Sequence, residues 1–316
     1  MRRAMWGRSL AIFLVNIGAT ASDRRFASVF VTAPDGLTLH VRRYGSRVAS
    51  ALPVVCLPGL ARTAADFDPL AAALAADPAK PRLVLGLDFR GHGQSEYDRN
   101  PDNYTLPVTL ADLSAVLIAL EIVSAIFLGS SYGGLLAMML AVLRPTAIAG
   151  AILNDIGPVV EPHGLVRLKG YVGKLPVPRN FEEGGEILRW FFEAQFPKLA
   201  PQDWIAFAQR TWREHGGRLL PDHDPKLAQT LQGADMQHPP TLWTHFDALA
   251  RVPLMVIRGA KSDMLASSTL DAMLSRRREL DVALVPDQGH PPLLTEPKLI
   301  RRIAAFVASC DVSSPL

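Results

Sequence analysis

Short apolar runs separated by helix-length segments constrain the fold of this chain more than any other feature. They are Val54 to Leu57, Leu83 to Asp88, Ala125 to Leu128, Ala149 to Asn154, Leu254 to Ile257 and Val282 to Val285. Between them lie an Ala-rich helical stretch from about Ala64 to Ala76 with Asp66 in its first turn, a second helix from Thr105 to about Leu120, and a third from Tyr132 to Leu143 ended by Pro145. A last helix is expected near Leu299 to Ala308. Strands that alternate with helices imply an α/β fold built on a parallel sheet. Ahead of the alternation, Ser28 to Thr32 and Leu37 to Tyr44 flank Pro34-Asp35-Gly36, a hairpin turn signal.

The alternation stops between about Gly157 and Phe246, where Pro, Gly and helix formers take over. This segment reads as a helical cap, residues 157–246, inserted into a core made of residues 23–156 and 247–316. With 316 residues and 49% hydrophobic content, the chain is long enough to bury a core of that kind. Trp190, Trp204, Trp212 and Trp243 lie in the insertion, with Phe191, Phe192, Phe196, Phe207 and Phe246. Most of these aromatic residues are expected to form the cap's own core. Trp190, Phe191 and Trp212 are the candidates for lining an apolar substrate pocket.

Charge points to no macromolecular partner. The formal charge of +3 comes from scattered arginines, and the densest basic run, Arg276-Arg277-Arg278, falls in an expected helix as a solvated face. A nucleic-acid footprint needs a clustered stripe, and none is found. The two cysteines, Cys56 and Cys310, stand far apart, which excludes a disulfide framework, and no Cys/His cluster has the spacing of zinc ligands. No metal or organic cofactor is expected. At the amino terminus, Arg2-Arg3, the apolar Leu10 to Ile17 and Ala19-Thr20-Ala21 resemble a signal peptide, and the other reading is a non-structural leader. The stretch is too short to span a bilayer. A cytoplasmic location is the expectation, with export after cleavage near Ala21 as the alternative.

Chemistry concentrates at Gly129-Ser130-Ser131-Tyr132-Gly133, a G-x-S-x-G pattern between an apolar strand and a helix. A nucleophile there sits on a strained turn that lifts its hydroxyl above the sheet. Side chains two residues away on either side would collide, so glycine is needed at 129 and 133. Ser130 is out of register with the pattern. A serine hydroxyl needs a base within hydrogen-bond reach and a group that orients the base. His290, in the loop after the last predicted strand, is the candidate base. Asp263, after the preceding strand, completes the order Ser…Asp…His. Asp155, just beyond an earlier strand, competes for the role of acid, whereas Asp287 suits a turn. Oxyanion donors are expected from the main-chain N–H groups of Tyr132 and of Leu60, the latter in the turn Pro58-Gly59-Leu60.

Leu57-Pro58-Gly59-Leu60, Asp88-Phe89-Arg90-Gly91-His92-Gly93-Gln94-Ser95, the Ser131 pentapeptide, Arg258-Gly259 with Asp263, and Gly289-His290-Pro291-Pro292 together resemble the α/β-hydrolase-fold family. The resemblance spans about Arg24 to Cys310 and points to the branch that holds esterases, lactonases and haloperoxidase-like enzymes. It implies a mostly parallel central sheet with helices on both faces and an inserted helical cap. It also implies a Ser131, Asp263, His290 triad with Leu60 and Tyr132 at the oxyanion hole, and His92 as a structural residue. Pro58 departs from the histidine that many relatives carry before the glycine. The implied reaction is hydrolysis of small, mainly apolar esters or lactones through an acyl-enzyme. The alternatives are hydrolysis of a carbon–carbon bond in a ring-cleavage product, and a non-catalytic ligand-binding member of the fold. No nucleic acid, membrane insertion or oligomeric state is implied.

Overall fold

The computed structural model describes residues 26–48, 50–231 and 239–313. The segment that resembles a signal peptide lies outside them. Strands β1 (Ala27–Thr32) and β2 (Thr38–Tyr44) form the expected hairpin, with Gly36 at φ +93° in its turn. The core continues through β3 (Val54–Leu57), α1 (Asp68–Ala75), β4 (Val84–Leu87), α2 (Leu106–Ala119), β5 (Ala125–Ser130), α3 (Tyr132–Leu143) and β6 (Ile148–Asn154). The insertion holds α4 (Pro162–Tyr171), α5 (Phe181–Phe192), α6 (Pro201–Gln209), β7 (Trp212–His215), β8 (Arg218–Pro221) and α7 (Trp243–Asp247). The chain then returns to the sheet with β9 (Leu254–Gly259), α8 (Ser267–Arg276), β10 (Asp281–Val285) and α9 (Pro297–Ser313).

The large sheet has the order β1-β2-β4-β3-β5-β6-β9-β10. β2 is antiparallel to both β1 and β4, and β4, β3, β5, β6, β9 and β10 run parallel to one another. Its central strands show why their sequences lack polar alternation. In β3, Val55 and Leu57 pack into one apolar layer and Val54 and Cys56 into the other, so every residue is buried. α2, α3 and α8 cover the first face, and α1 and α9 the second.

The cap is not wholly helical. β7 and β8 pair antiparallel around Gly216 and Gly217, with φ +57° and +73°. Two successive residues in the left-handed region make a tight hairpin turn, which only glycines accommodate without strain. Leu188, Phe192, Phe196, Trp204, Phe207 and Trp212 form the cap's own apolar core. Phe246 of α7 instead joins the core layer around α3, so the insertion rejoins the main body there.

Candidate active site

The turn after β5 has the strained geometry its glycine spacing predicts. Ser131 has φ +50° and ψ −114°, outside the comfortable regions for a side-chain-bearing residue. A Cβ on Gly133 would stand 2.1 Å from the Leu57 carbonyl oxygen, and one on Gly129 would stand 2.4 Å from Gly133. Gly134 is confined too, since its Cβ would meet Ile156 Cγ2 at 2.3 Å. Ser131 is the N-cap of α3, and its carbonyl accepts the N–H groups of Gly134 and Leu135.

His290 links this serine to an aspartate. Its Nε2 lies 2.8 Å from Ser131 Oγ and its Nδ1 2.8 Å from Asp155 Oδ2. Asp155 is fully buried. It follows β6 directly at φ +59°, and it also accepts hydrogen bonds from Gly259 N–H at 2.8 Å and the Ser262 hydroxyl at 2.5 Å. Ser262 Oγ in turn accepts the N–H groups of Met264 and Leu265. The carboxylate is therefore held by a main-chain donor, a hydroxyl and the imidazole.

Asp263 does not reach His290. Its carboxylate takes Arg167 of α4 at 2.5 and 2.9 Å, which ties the cap to the loop after β9. Burial works to raise its pKa, but the guanidinium outweighs this and holds it below the ordinary carboxylate value. Asp155 directly follows β6, the neighbour of β5, whereas Asp263 sits four residues past the end of β9 with its carboxylate occupied by Arg167. That loop still serves the site, through Gly259 and Ser262.

The other site loops are braced from both halves of the molecule. Gln195 of the cap accepts His290 N–H at 2.9 Å, and it packs so closely on Gly289 that a Cβ there would meet Gln195 Oε1 at 1.7 Å. Asn154 donates to Ser130 Oγ and to the Pro292 carbonyl. His92 is buried, its Nδ1 lies 2.8 Å from the Arg90 carbonyl, and its Nε2 accepts Ala61 N–H at 3.1 Å. These bonds define a neutral imidazole protonated at Nδ1, and burial lowers its pKa in keeping with that form. Ala61, at φ +58°, directly follows Leu60, so His92 fixes the turn that carries the Leu60 N–H. Arg90 anchors the same motif through Asp112, Asp98 and Asp35. The cap is stitched to the motif as well, by Gly93 N–H on the Asp222 carbonyl and Asp224 N–H on the Gly91 carbonyl.

Two cavities meet at Ser131 and Leu60. The narrower one, about 80 Å³, includes His290, Phe192, Phe196, Phe207, Arg62 and Arg210 in its walls. The wider one, about 820 Å³, is walled by Tyr132, Leu135, Met139, Val160, Leu165 and other apolar side chains. Leu60 and Tyr132 thus both border the space around the serine. The cap aromatics expected there fall elsewhere. Trp190 is 79% exposed, Trp212 is 1% exposed inside the cap's core, and Phe191 borders neither cavity. Leu188 and Phe192, four residues apart, form the inward stripe of α5. Trp190 stands two residues off it, about 200° round the helix.

A family model described as "Alpha/beta hydrolase family" matches residues 54–303. The chain belongs to this family. An alpha/beta hydrolase from Novosphingobium aromaticivorans superposes with a TM-score of 0.83 at 37% identity, covering 90% of this chain and 98% of that one. A 3-hydroxybutyrate-oligomer hydrolase from Cupriavidus necator is 31% identical over 89% of this chain and 96% of its own length. A 2-(acetamidomethylene)succinate hydrolase from Mesorhizobium japonicum is 23% identical over 86% of this chain and 92% of its own length. The chain is therefore a hydrolase of the α/β-hydrolase fold.

Proposed function

We propose that the protein is a serine hydrolase that cleaves carboxylic esters through an acyl-enzyme, with Ser131 as nucleophile, His290 as general base and Asp155 as the orienting acid. The observation that carries this reading is His290, hydrogen-bonded at 2.8 Å to Ser131 on one side and to Asp155 on the other. As Ser131 Oγ attacks the ester carbonyl carbon, its proton passes to His290 Nε2, and Asp155 stabilises the imidazolium through Nδ1–H. The oxyanion of the tetrahedral intermediate is met by the N–H groups of Leu60 and Tyr132. Collapse breaks the ester C–O bond, and the leaving alkoxide takes the proton from His290. Water, deprotonated by the same imidazole, attacks the acyl-enzyme and releases the acid and Ser131. A relative that acts on 3-hydroxybutyrate oligomers supports esters over lactones and ring-cleavage diketones.

Wild-type protein should turn over p-nitrophenyl butyrate and take up a fluorophosphonate probe, and Ser131→Ala should do neither. Unchanged labelling in Ser131→Ala, or a wild type that does neither, rejects the reading. His92 is a positioning residue in this scheme. His92→Phe keeps a ring but leaves Ala61 N–H without its acceptor, so the Leu60 donor loses its fixed aim. The expected result is a fall in kcat of about 10²-fold, the low end for loss of one oxyanion donor, with KM for the neutral ester little changed. A change confined to KM would contradict that role.

A further inference from the structure

Cationic groups outnumber their counter-ions in the narrower cavity. Arg62 and Arg210 both lie over the Phe207 ring, with guanidinium carbons 4.8 and 5.9 Å from its centroid. Asp66 serves both, and Arg62 engages both of its oxygens. Arg210 Nε is left 3.5 Å from Asp66 Oδ1 and makes no hydrogen bond among the described residues. The other carboxylates near Arg210 are engaged elsewhere: Asp68 by Arg42 and Tyr44, and Asp203 by Ala200 N–H at the start of α6. Asp222 lies nearest Arg213, at 3.8 Å, and burial raises its pKa, which weakens it as a counter-ion. Burial lowers the pKa of Arg210 itself, and the charge of Arg62 adds to this.

His223 is the second, independent observation. It is 6% exposed, it borders the same cavity as Ser131 and Arg210, and neither ring nitrogen has a hydrogen-bond partner among the described residues. Burial pushes its pKa down to about 3, so the ring is neutral and offers one N–H and one acceptor nitrogen. A buried imidazole with both nitrogens unsatisfied is costly unless something else occupies the cavity beside it.

We propose that Arg210 and His223 form a carboxylate subsite, which selects esters bearing a free carboxylate on the part of the substrate that enters the narrower cavity, as the acid end of a short hydroxy-acid oligomer does. Arg210 supplies the charge and the unused Nε–H, and His223 supplies a neutral donor. Arg62, held by Asp66 and by Thr211, serves as the rigid wall behind them. The wider apolar cavity on the other side of Ser131 takes the remainder of the ester. This inference rests on the hydrolase reading for the position of the scissile bond, but the subsite itself is measurable without turnover.

The test compares the 3-hydroxybutyrate dimer with its methyl ester, by calorimetric binding to Ser131→Ala protein. The acid should bind about ten- to hundredfold more tightly, the range of a hydrogen bond to a charged group. In Ser131→Ala with Arg210→Gln the two ligands should bind within about threefold of each other, and Arg210→Lys should retain part of the preference. Equal binding of acid and methyl ester to Ser131→Ala, no binding of the dimer, or an undiminished preference in Arg210→Gln overturns the subsite. The first comparison uses no Arg210 variant, so a misfolded variant leaves the test intact. Acid preference in a protein whose wild type hydrolyses no ester keeps the subsite and rejects the serine hydrolase reading. Turnover of p-nitrophenyl butyrate without acid preference does the reverse.

Discussion

Asp155→Asn should lower kcat for p-nitrophenyl butyrate by about 10⁴-fold, the scale set by removal of the orienting acid from a Ser-His-Asp site. The carboxylate is buried and accepts from His290 Nδ1–H, Gly259 N–H and the Ser262 hydroxyl. An amide in its place can donate toward Nδ1 and favour the tautomer protonated at Nε2, which is unable to accept the serine proton. Asp263→Asn provides the contrast. Its carboxylate holds Arg167 rather than His290, so kcat should stay within about threefold of wild type, a change of under 1 kcal/mol in the barrier. What Asp263→Asn should lose is cap docking. Because the folded-state pKa of Asp263 lies below its ordinary value of 3.8, the stability it contributes is present above that value and disappears as pH falls through the lower folded one. The Tm gap between wild type and Asp263→Asn should accordingly be open at neutral pH and close in acid. A large loss of kcat in Asp263→Asn beside an active Asp155→Asn would reverse the assignment.

Gly133→Ala carries the second large effect, on folding rather than chemistry. The added Cβ would lie 2.1 Å from the Leu57 carbonyl oxygen and 2.7 Å from Leu57 Cβ, where β3 and α3 press together beside the serine. Leu57 belongs to a strand buried throughout and bonded on both sides, so neither element can yield cheaply. Destabilisation of about 3 kcal/mol or more is expected, at the upper end for overpacking a core. The same substitution at Gly170 should have the opposite sign. That glycine lies in α4 with nothing within 4 Å of a built Cβ, and alanine there should add about 0.5–1 kcal/mol by helix propensity. Chemical denaturation of both variants measures the contrast, and comparable stabilities for the two would refute the close-packing argument at the elbow.

The cap marks where composition stops being informative. Aromatic residues in the 157–246 segment suggested a lined pocket, and Phe192, Phe196 and Phe207 do line it. Trp190, Phe191 and Trp212 do not, because membership depends on helical phase and on which face of the cap meets the core. The phase of α5 is visible in retrospect, since Leu188 and Phe192 are four residues apart. The hairpin at Gly216-Gly217 has a local signal too, the two adjacent glycines themselves. Nothing local marks Gln195 as the brace of His290, or Arg210 and His223 as neighbours in one cavity.

Residue types alone carry the features that collisions and dihedrals set within a few residues: the alternation of strands and helices outside the cap, the turn at Pro34-Asp35-Gly36, and the glycines that let Ser131 occupy φ +50°. These depend on chain geometry close at hand, so a pattern of residue types carries them. The partner of His290 was decided by tertiary structure alone. Asp155 and Asp263 both follow strands and both precede His290 in the chain. The choice between them depends on which carboxylate the folded loops bring to His290 Nδ1: Asp155 is held there with Gly259 and Ser262, and Asp263 is occupied by Arg167 reaching from the cap. Loop packing and cap docking are long-range contacts, which no local spacing encodes.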